Sequence, residues 1–218
     1  MSARRTLSRY PVKGLAVEAS QVLVTVAGKG MMGVPGIAAR TFGALHGEGI
    51  SVSTIFQASS ENSIGFTLGE EDAPRAVDAL RRVFKDEIAS GLIDGVTARP
   101  GVGVVAAVGE GMAGTPGIAA RVFTALGGGG VNVLAIAQGS SERNITFVVD
   151  RSQLAEAARR IHTTFQLAKI GGGKSPEHLR TDVVLLGFGH VGRALAALAA
   201  HNGHAGVKVV GLLDRSGY

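Results

Sequence analysis

GKGMMGVPGIAARTFGALHGEGI (28–50) returns as GEGMAGTPGIAARVFTALGGGGV (109–131), and this near-repetition decides the fold. Sliding the chain on itself by 81 residues pairs 22–84 with 103–165 without a gap, identical at 26 of 63 positions. A match of that length marks a duplicated domain. Downstream the copies run on as IFQASSENSIGF (55–66) and IAQGSSERNITF (136–147). Upstream, the β-rich runs Val22–Ala27 and Val102–Val108 each stop at glycines, so a strand feeds a glycine loop. Pro35 and Pro116 then open a helix. Its one-sided apolar spacing is carried by Ile37, Phe42 and Leu45 and by Ile118, Phe123 and Leu126. Gly47 and Gly128 end it.

Beyond the helix each copy predicts a second strand (50–57 and 131–138), a Ser-Ser-Glu turn, a third strand (63–68 and 144–149) and a second helix (Asp72–Phe84 and Gln153–Phe165). The order β-α-β-β-α is that of a ferredoxin-like α+β sandwich, an antiparallel sheet with both helices on one face. Its remaining strand is expected at 93–98 in the first copy and 166–170 in the second. Sheets this small leave a bare edge and an apolar face, so the copies should pair with each other or across a homo-oligomer. The expected organisation is 1–20 as an N-terminal remnant or linker, 21–99 and 100–170 as the two copies, 171–180 as a linker (GGGKSPEHLR), and 181–218 as a separate segment.

Composition narrows the function. Hydrophobic residues at 45% and charged residues at 18% suit a globular core, and no apolar run is long enough to span a bilayer. MSARRTLSRY is basic but has no apolar stretch behind it, so a cytoplasmic protein is expected. The absence of Cys excludes thiolate chemistry, and the six scattered His do not predict a metal site. The net charge of +5 resolves into +3 over residues 1–20, −3 over 21–150 and +5 over 151–218. With a mildly acidic middle and only ten Phe and Tyr, no nucleic-acid partner is expected.

GxGxxG occurs at Gly28/Gly30/Gly33, Gly109/Gly111/Gly114 and Gly187/Gly189/Gly192. A dinucleotide site joins a buried strand to a helix through this turn and carries an acidic residue about 20 positions later. The first two matches lead to strands ending in the neutral Gln57 and Gln138 and then into hairpins. The third fits: DVVLLGFGHVGRALAALAA (182–200) is followed by VKVVGLLD (207–214), placing Asp214 22 residues past Gly192. A Rossmann-type βαβ unit is expected there, with Gly187, Gly189, His190, Val191 and Gly192 at the pyrophosphate. Asp214 would meet the ribose diol and Arg215 would accommodate a 2′-phosphate, which leaves NAD or NADP open.

These pieces, PGIAAR twice, IFQASSEN, AIAQGSSERNITFVV and VVLLGFGHVGRAL, resemble the middle of bifunctional aspartokinase/homoserine dehydrogenases over roughly residues 11–218. The resemblance implies tandem ACT regulatory domains followed by a truncated start of the NAD(P)-binding dehydrogenase domain, with no counterpart of the kinase domain. It implies feedback sensing of threonine, within a parent enzyme that phosphorylates aspartate and reduces aspartate semialdehyde with NAD(P)H. The single βαβ unit is not expected to bind NAD(P) by itself. Alternative readings are a fragment of an active kinase or dehydrogenase, and a dimerisation module with degenerate pockets.

The sensing role also follows from chemistry. A free amino acid needs N–H donors for its carboxylate and acceptors for its ammonium. The loops Gly30–Gly33 and Gly111–Gly114 precede helices whose N-terminal amides favour an anion. Gln57 and Gln138 end the adjacent strand, and the family's effector-contacting glutamines carry over onto these two positions. Met31, Met32, Met112, Ala113, Ser59 and Ser140 are secondary candidates. Arg40 and Arg121 are expected either to face solvent or to pair with Glu61 and Glu142.

Overall fold

The computed structural model describes residues 10–57 and 61–170, together with the backbone of strands 181–186 and 207–213. The chain divides into two compact units, 1–167 and 168–218. The first contains strands β1 (Gly14–Ala27), β2 (Thr54–Gln57), β3 (Ser63–Gly69), β4 (Gly95–Val108), β5 (Val133–Ala137) and β6 (Asn144–Asp150). Its helices are α1 (Ile37–Gly47), α2 (Ala73–Val83), α3 (Lys85–Ala89), α4 (Ile118–Gly127) and α5 (Leu154–Thr164). The strands join in the order β2-β3-β1-β4-β6-β5, every neighbouring pair antiparallel.

Alternation along the strands creates two faces. Val22, Val24, Val26, Ile64, Phe66 and Leu68 point to α1 and α2 and build the first core, closed by Leu80, Phe84 and Ile93. Val105, Ala107, Ile145, Phe147 and Val149 do the same beneath α4 and α5, with Ile161 and Phe165. The helices bury residues three and four apart: Ile37, Thr41 and Leu45 on α1, and Ile118, Val122 and Leu126 on α4. On the opposite sheet faces Leu23, Phe56, Val102, Val104, Leu134, Ala135 and Val148 form a third, smaller cluster, and β2 touches β5. The sheet therefore curls so that the two copies meet sheet to sheet, with their helices outside.

The long strands β1 and β4 run through both halves of that sandwich. The C-terminal part of β1, Gln21–Ala27, pairs with β3, and its Leu23–Ala27 pairs with Gly95–Arg99 in the first copy, while Gly14–Glu18 pairs with Val104–Val108 in the second. The register breaks between Glu18 and Gln21 and again between Gln21 and Leu23, the second break lying opposite Pro100, which lacks a donor, and Gly101 at φ 69°. Each copy thus lends its N-terminal arm to the other. The fourth strand of the first copy falls at 95–99, as expected. That of the second does not come from 166–170, where Leu167–Lys169 is a short 3-10 turn; it is Gly14–Glu18, part of the segment read as a linker. Val12, completely buried in the second core, anchors this arm as Ile93 anchors the other. Close approach seals both arms: a Cβ on Gly109 would fall 2.1 Å from the Pro11 carbonyl oxygen, and one on Gly28 2.5 Å from the Ile93 Cα.

In the second unit β7 (Thr181–Leu186) and β8 (Val207–Leu213) pair in parallel. Parallel neighbours need a crossover connection. Its residues 187–206, and 214–218, lie outside the described residues, and with them Gly187, Gly189, His190, Val191, Gly192, Asp214 and Arg215. No helix among the described residues is long and apolar enough to cross a membrane.

Candidate functional site

Each glycine loop lies between the end of a central strand and the first helix of its copy. Gly36 and Gly117, both in the left-handed region, precede Ile37 and Ile118 and turn the chain into α1 and α4. In the second copy the loop, the helix start and the end of β5 enclose a cavity of about 360 Å3, lined by Met112, Gly114, Thr115, Pro116, Gly117, Ile118, Ala119, Gln138, Glu142 and Ile145. Of the residues picked out from the sequence, Met112, Gly114 and Gln138 are brought together here. Gly111 lies just outside the lining, and its carbonyl accepts the Thr115 hydroxyl at 2.6 Å. Ser140 is exposed in the following turn.

The loop of the first copy has the same course. Met31 is buried in the core, as Met112 is, and Met32 projects into solvent. The Gly30 N–H is taken by the Leu92 carbonyl at 2.9 Å. Gln57 is exposed at the end of β2, where with Leu23, Thr25, Phe56, Ser63, Gly65, Leu134, Ala135 and Ile136 it lines a hollow of about 300 Å3 between the sheets. Ser59 lies outside the described residues.

Two groups that the sequence did not single out as site residues define the electrostatics. Glu61 and Glu142 both have φ 54°. Their carboxylates accept loop N–H groups, Gly33 to Glu61 Oε2 at 3.3 Å and Gly114 to Glu142 Oε2 at 2.7 Å. They are therefore not the partners of Arg40 and Arg121, as the sequence had allowed. Arg40 lies over the Phe84 ring at 4.7 Å, donates to the Val83 carbonyl at 2.6 Å and pairs with Glu87. Hydrogen bonding to Arg40 holds the Glu87 carboxyl below its ordinary range and raises Arg40 in return. Arg121 lies over Phe165 at 4.4 Å and donates to the Thr164 carbonyl at 2.9 Å. Both arginines brace the first helix against the second. The glutamate contact was legible only as the conserved spacing of 28 residues between loop glycine and glutamate in the two copies.

A glycine loop before a helix, an acidic hairpin turn and a glutamine on the neighbouring strand, twice at one spacing, match a known family. An ACT domain model matches residues 24–84 and again 105–165. The chain belongs to the ACT domain family. Its tandem ACT units correspond to the regulatory region of aspartokinases. The chain is 42% identical over 159 residues to the chloroplastic bifunctional aspartokinase/homoserine dehydrogenase 1 of Arabidopsis thaliana, covering 73% of this chain and 18% of that protein. Among solved structures, the ligand-free regulatory subunit of aspartate kinase from Thermus thermophilus is 31% identical, with a TM-score of 0.60 over 71% of this chain and 99% of that one. An E. coli aspartokinase III structure in complex with lysine and aspartate is 27% identical, with a TM-score of 0.54 over 71% of this chain and 33% of that one. The chain spans about a fifth of the length of the bifunctional relative.

Proposed function

We propose that the paired ACT units are an amino-acid sensor, with threonine the favoured effector, working in the regulation of aspartate-family amino-acid biosynthesis. The cavity beside Gln138 carries this reading, because it combines polar groups suited to a free amino acid with a volume that admits one. Gln138 contacts the effector in the second unit and Gln57 in the first, and the Gly111–Gly114 and Gly30–Gly33 loops face its carboxylate. The units associate into a homo-oligomer through their ACT faces. Effector binding changes their packing, with a coupling of about 1–3 kcal/mol to the rest of the parent protein.

The C-terminal segment, residues 168–218, is read as the start of a homoserine dehydrogenase NAD(P)-binding domain. The parallel β7–β8 pair, flanking a glycine-rich turn in the sequence, suits that cofactor. Gly187, Gly189, His190, Val191 and Gly192 would hold its pyrophosphate, and Asp214 and Arg215 its ribose end. NAD(P) would supply hydride transfer in the parent enzyme; the single βαβ unit of this chain is not expected to bind it alone, and these residues would position it once the rest of the domain is present.

A thermal-shift titration against threonine, lysine, methionine, aspartate and homoserine, with the Gln57→Ala/Gln138→Ala variant alongside, tests the sensor. Ligand at 100 times its dissociation constant adds about 2.7 kcal/mol, a rise of several degrees. A rise specific to threonine and lost in the variant is the expected result; no response to any of the five refutes it.

A further inference from the structure

We infer that Glu142 sets the ligand class of the second ACT unit by occupying, in the free protein, the loop N–H that the ligand's carboxylate must take, and that Glu61 does the same in the first. This rests on the reading of the cavity as an amino-acid site. Gly114 lines that cavity, and its N–H is already bonded to a carboxylate at 2.7 Å; Gly33 repeats the arrangement at 3.3 Å. The contact recurs 81 residues along although the following residue changes from Asn62 to Arg143. In both copies the glutamate sits at φ 54°, where a non-glycine residue is disfavoured, and there its side chain reaches the loop. Both glutamates are exposed, so the bond is weak enough to be exchanged.

An entering amino acid brings a carboxylate and an ammonium together. Its carboxylate takes the Gly114 N–H, and the released Glu142 stays in the cavity lining as the counter-charge of the ammonium. A 2-hydroxy acid of the same shape brings only the carboxylate, so its binding leaves two unbalanced negative charges in one small cavity. The glutamate therefore admits zwitterions and rejects simple carboxylates. A side chain that only shaped the turn would affect both ligands equally.

The test measures binding of L-threonine and of its 2-hydroxy counterpart, 2,3-dihydroxybutanoate, to the whole chain by calorimetry. Wild type is compared with Glu142→Gln and Glu61→Gln/Glu142→Gln, whose melting temperatures check folding. The expected result is that the preference for threonine narrows by roughly three- to tenfold in Glu142→Gln, mainly through tighter hydroxy-acid binding, and further in the double variant. Binding of the hydroxy acid by the double variant but not by wild type, with threonine bound by both, supports the proposal as well; threonine bound by the double variant alone overturns it. An unchanged preference, with threonine bound by all three proteins, overturns it while leaving the sensor intact. Failure of all three to bind either probe removes the sensor reading and this inference with it.

Discussion

The two ACT units share a backbone plan, yet they are fastened at different places. In the first, Arg40 stacks on Phe84 and is gripped by Glu87, which α3 supplies. In the second, Arg121 stacks on Phe165 in the same way and donates to a carbonyl, and a short 3-10 turn at Leu167–Lys169 stands where α3 would be. At the glycine loop the balance reverses. The second unit closes Gly114 onto Glu142 at 2.7 Å and ties Thr115 to Gly111, whereas the first holds Gly33 and Glu61 at 3.3 Å and exposes Val34 at the position of Thr115. The stacked arginine is thus shared inheritance, and the divergence lies in what was added around it: an ion-pair brace in one copy, a more closely hydrogen-bonded loop in the other.

The sharpest way to break the comparison is to strike the exchanged arms. Gly109→Ala should cost about 3 kcal/mol or more, because its Cβ meets the Pro11 backbone, and Gly28→Ala should cost a similar amount against Ile93. Urea unfolding measures both; a loss below about 1 kcal/mol in either would show that its arm is not held as described. Next come the glutamines. Gln138→Ala, beside the more closely hydrogen-bonded loop, should weaken threonine binding roughly tenfold, and Gln57→Ala less, as seen by calorimetry. Equal losses would make the two sites equivalent.

A smaller effect separates the braces. Arg40→Ala should destabilise by about 1–1.5 kcal/mol and Arg121→Ala by somewhat less, since both lose ring packing but only the first loses a carboxylate partner. Equal melting temperatures for the two variants would erase the distinction. The smallest effect is acid sensitivity. Arg40 depresses Glu87 below its usual value of 4.5, so the pair's contribution is complete above that pH and is lost as the pH falls through the lowered value. Between pH 6 and pH 3, Glu87→Gln should therefore lose slightly less stability than wild type in melting curves.

Much of the fold was written in the repeat. The Val22–Ala27 and Val102–Val108 runs did end at the glycine loops, while Pro35 and Pro116, read as the first helical turn, stand one residue before the left-handed Gly36 and Gly117 that cap the first helices. The exchanged arms were invisible because, between residues 11–21 and 92–102, the copies share only Gly14 and Gly95. Pairing across copies is moreover decided by the path of the chain, to which local periodicity is blind. Gln138 and Gly114 were legible at the candidate site because they sit inside the repeated block. The engagement of Gly114 by Glu142 was not, because a backbone N–H leaves no mark in the sequence and a left-handed glutamate is rarely expected. Arg40 and Arg121 were misjudged for a related reason: their partners include carbonyls and aromatic faces.

The reciprocal arms bear on how this chain acquires its structure. Gly14–Glu18 cannot find their place until Val104–Val108 exist, some 90 residues later in synthesis. The first unit, in turn, lacks its edge until Gly95–Arg99 are made. Pairing so distant in sequence raises contact order and slows folding. We expect neither half to be an independent folding unit: the N-terminal arm waits until the second copy has been synthesised, and the two halves reach the native state in one cooperative step. A stop between the copies would leave behind a sheet with open edges, prone to pair with another nascent chain.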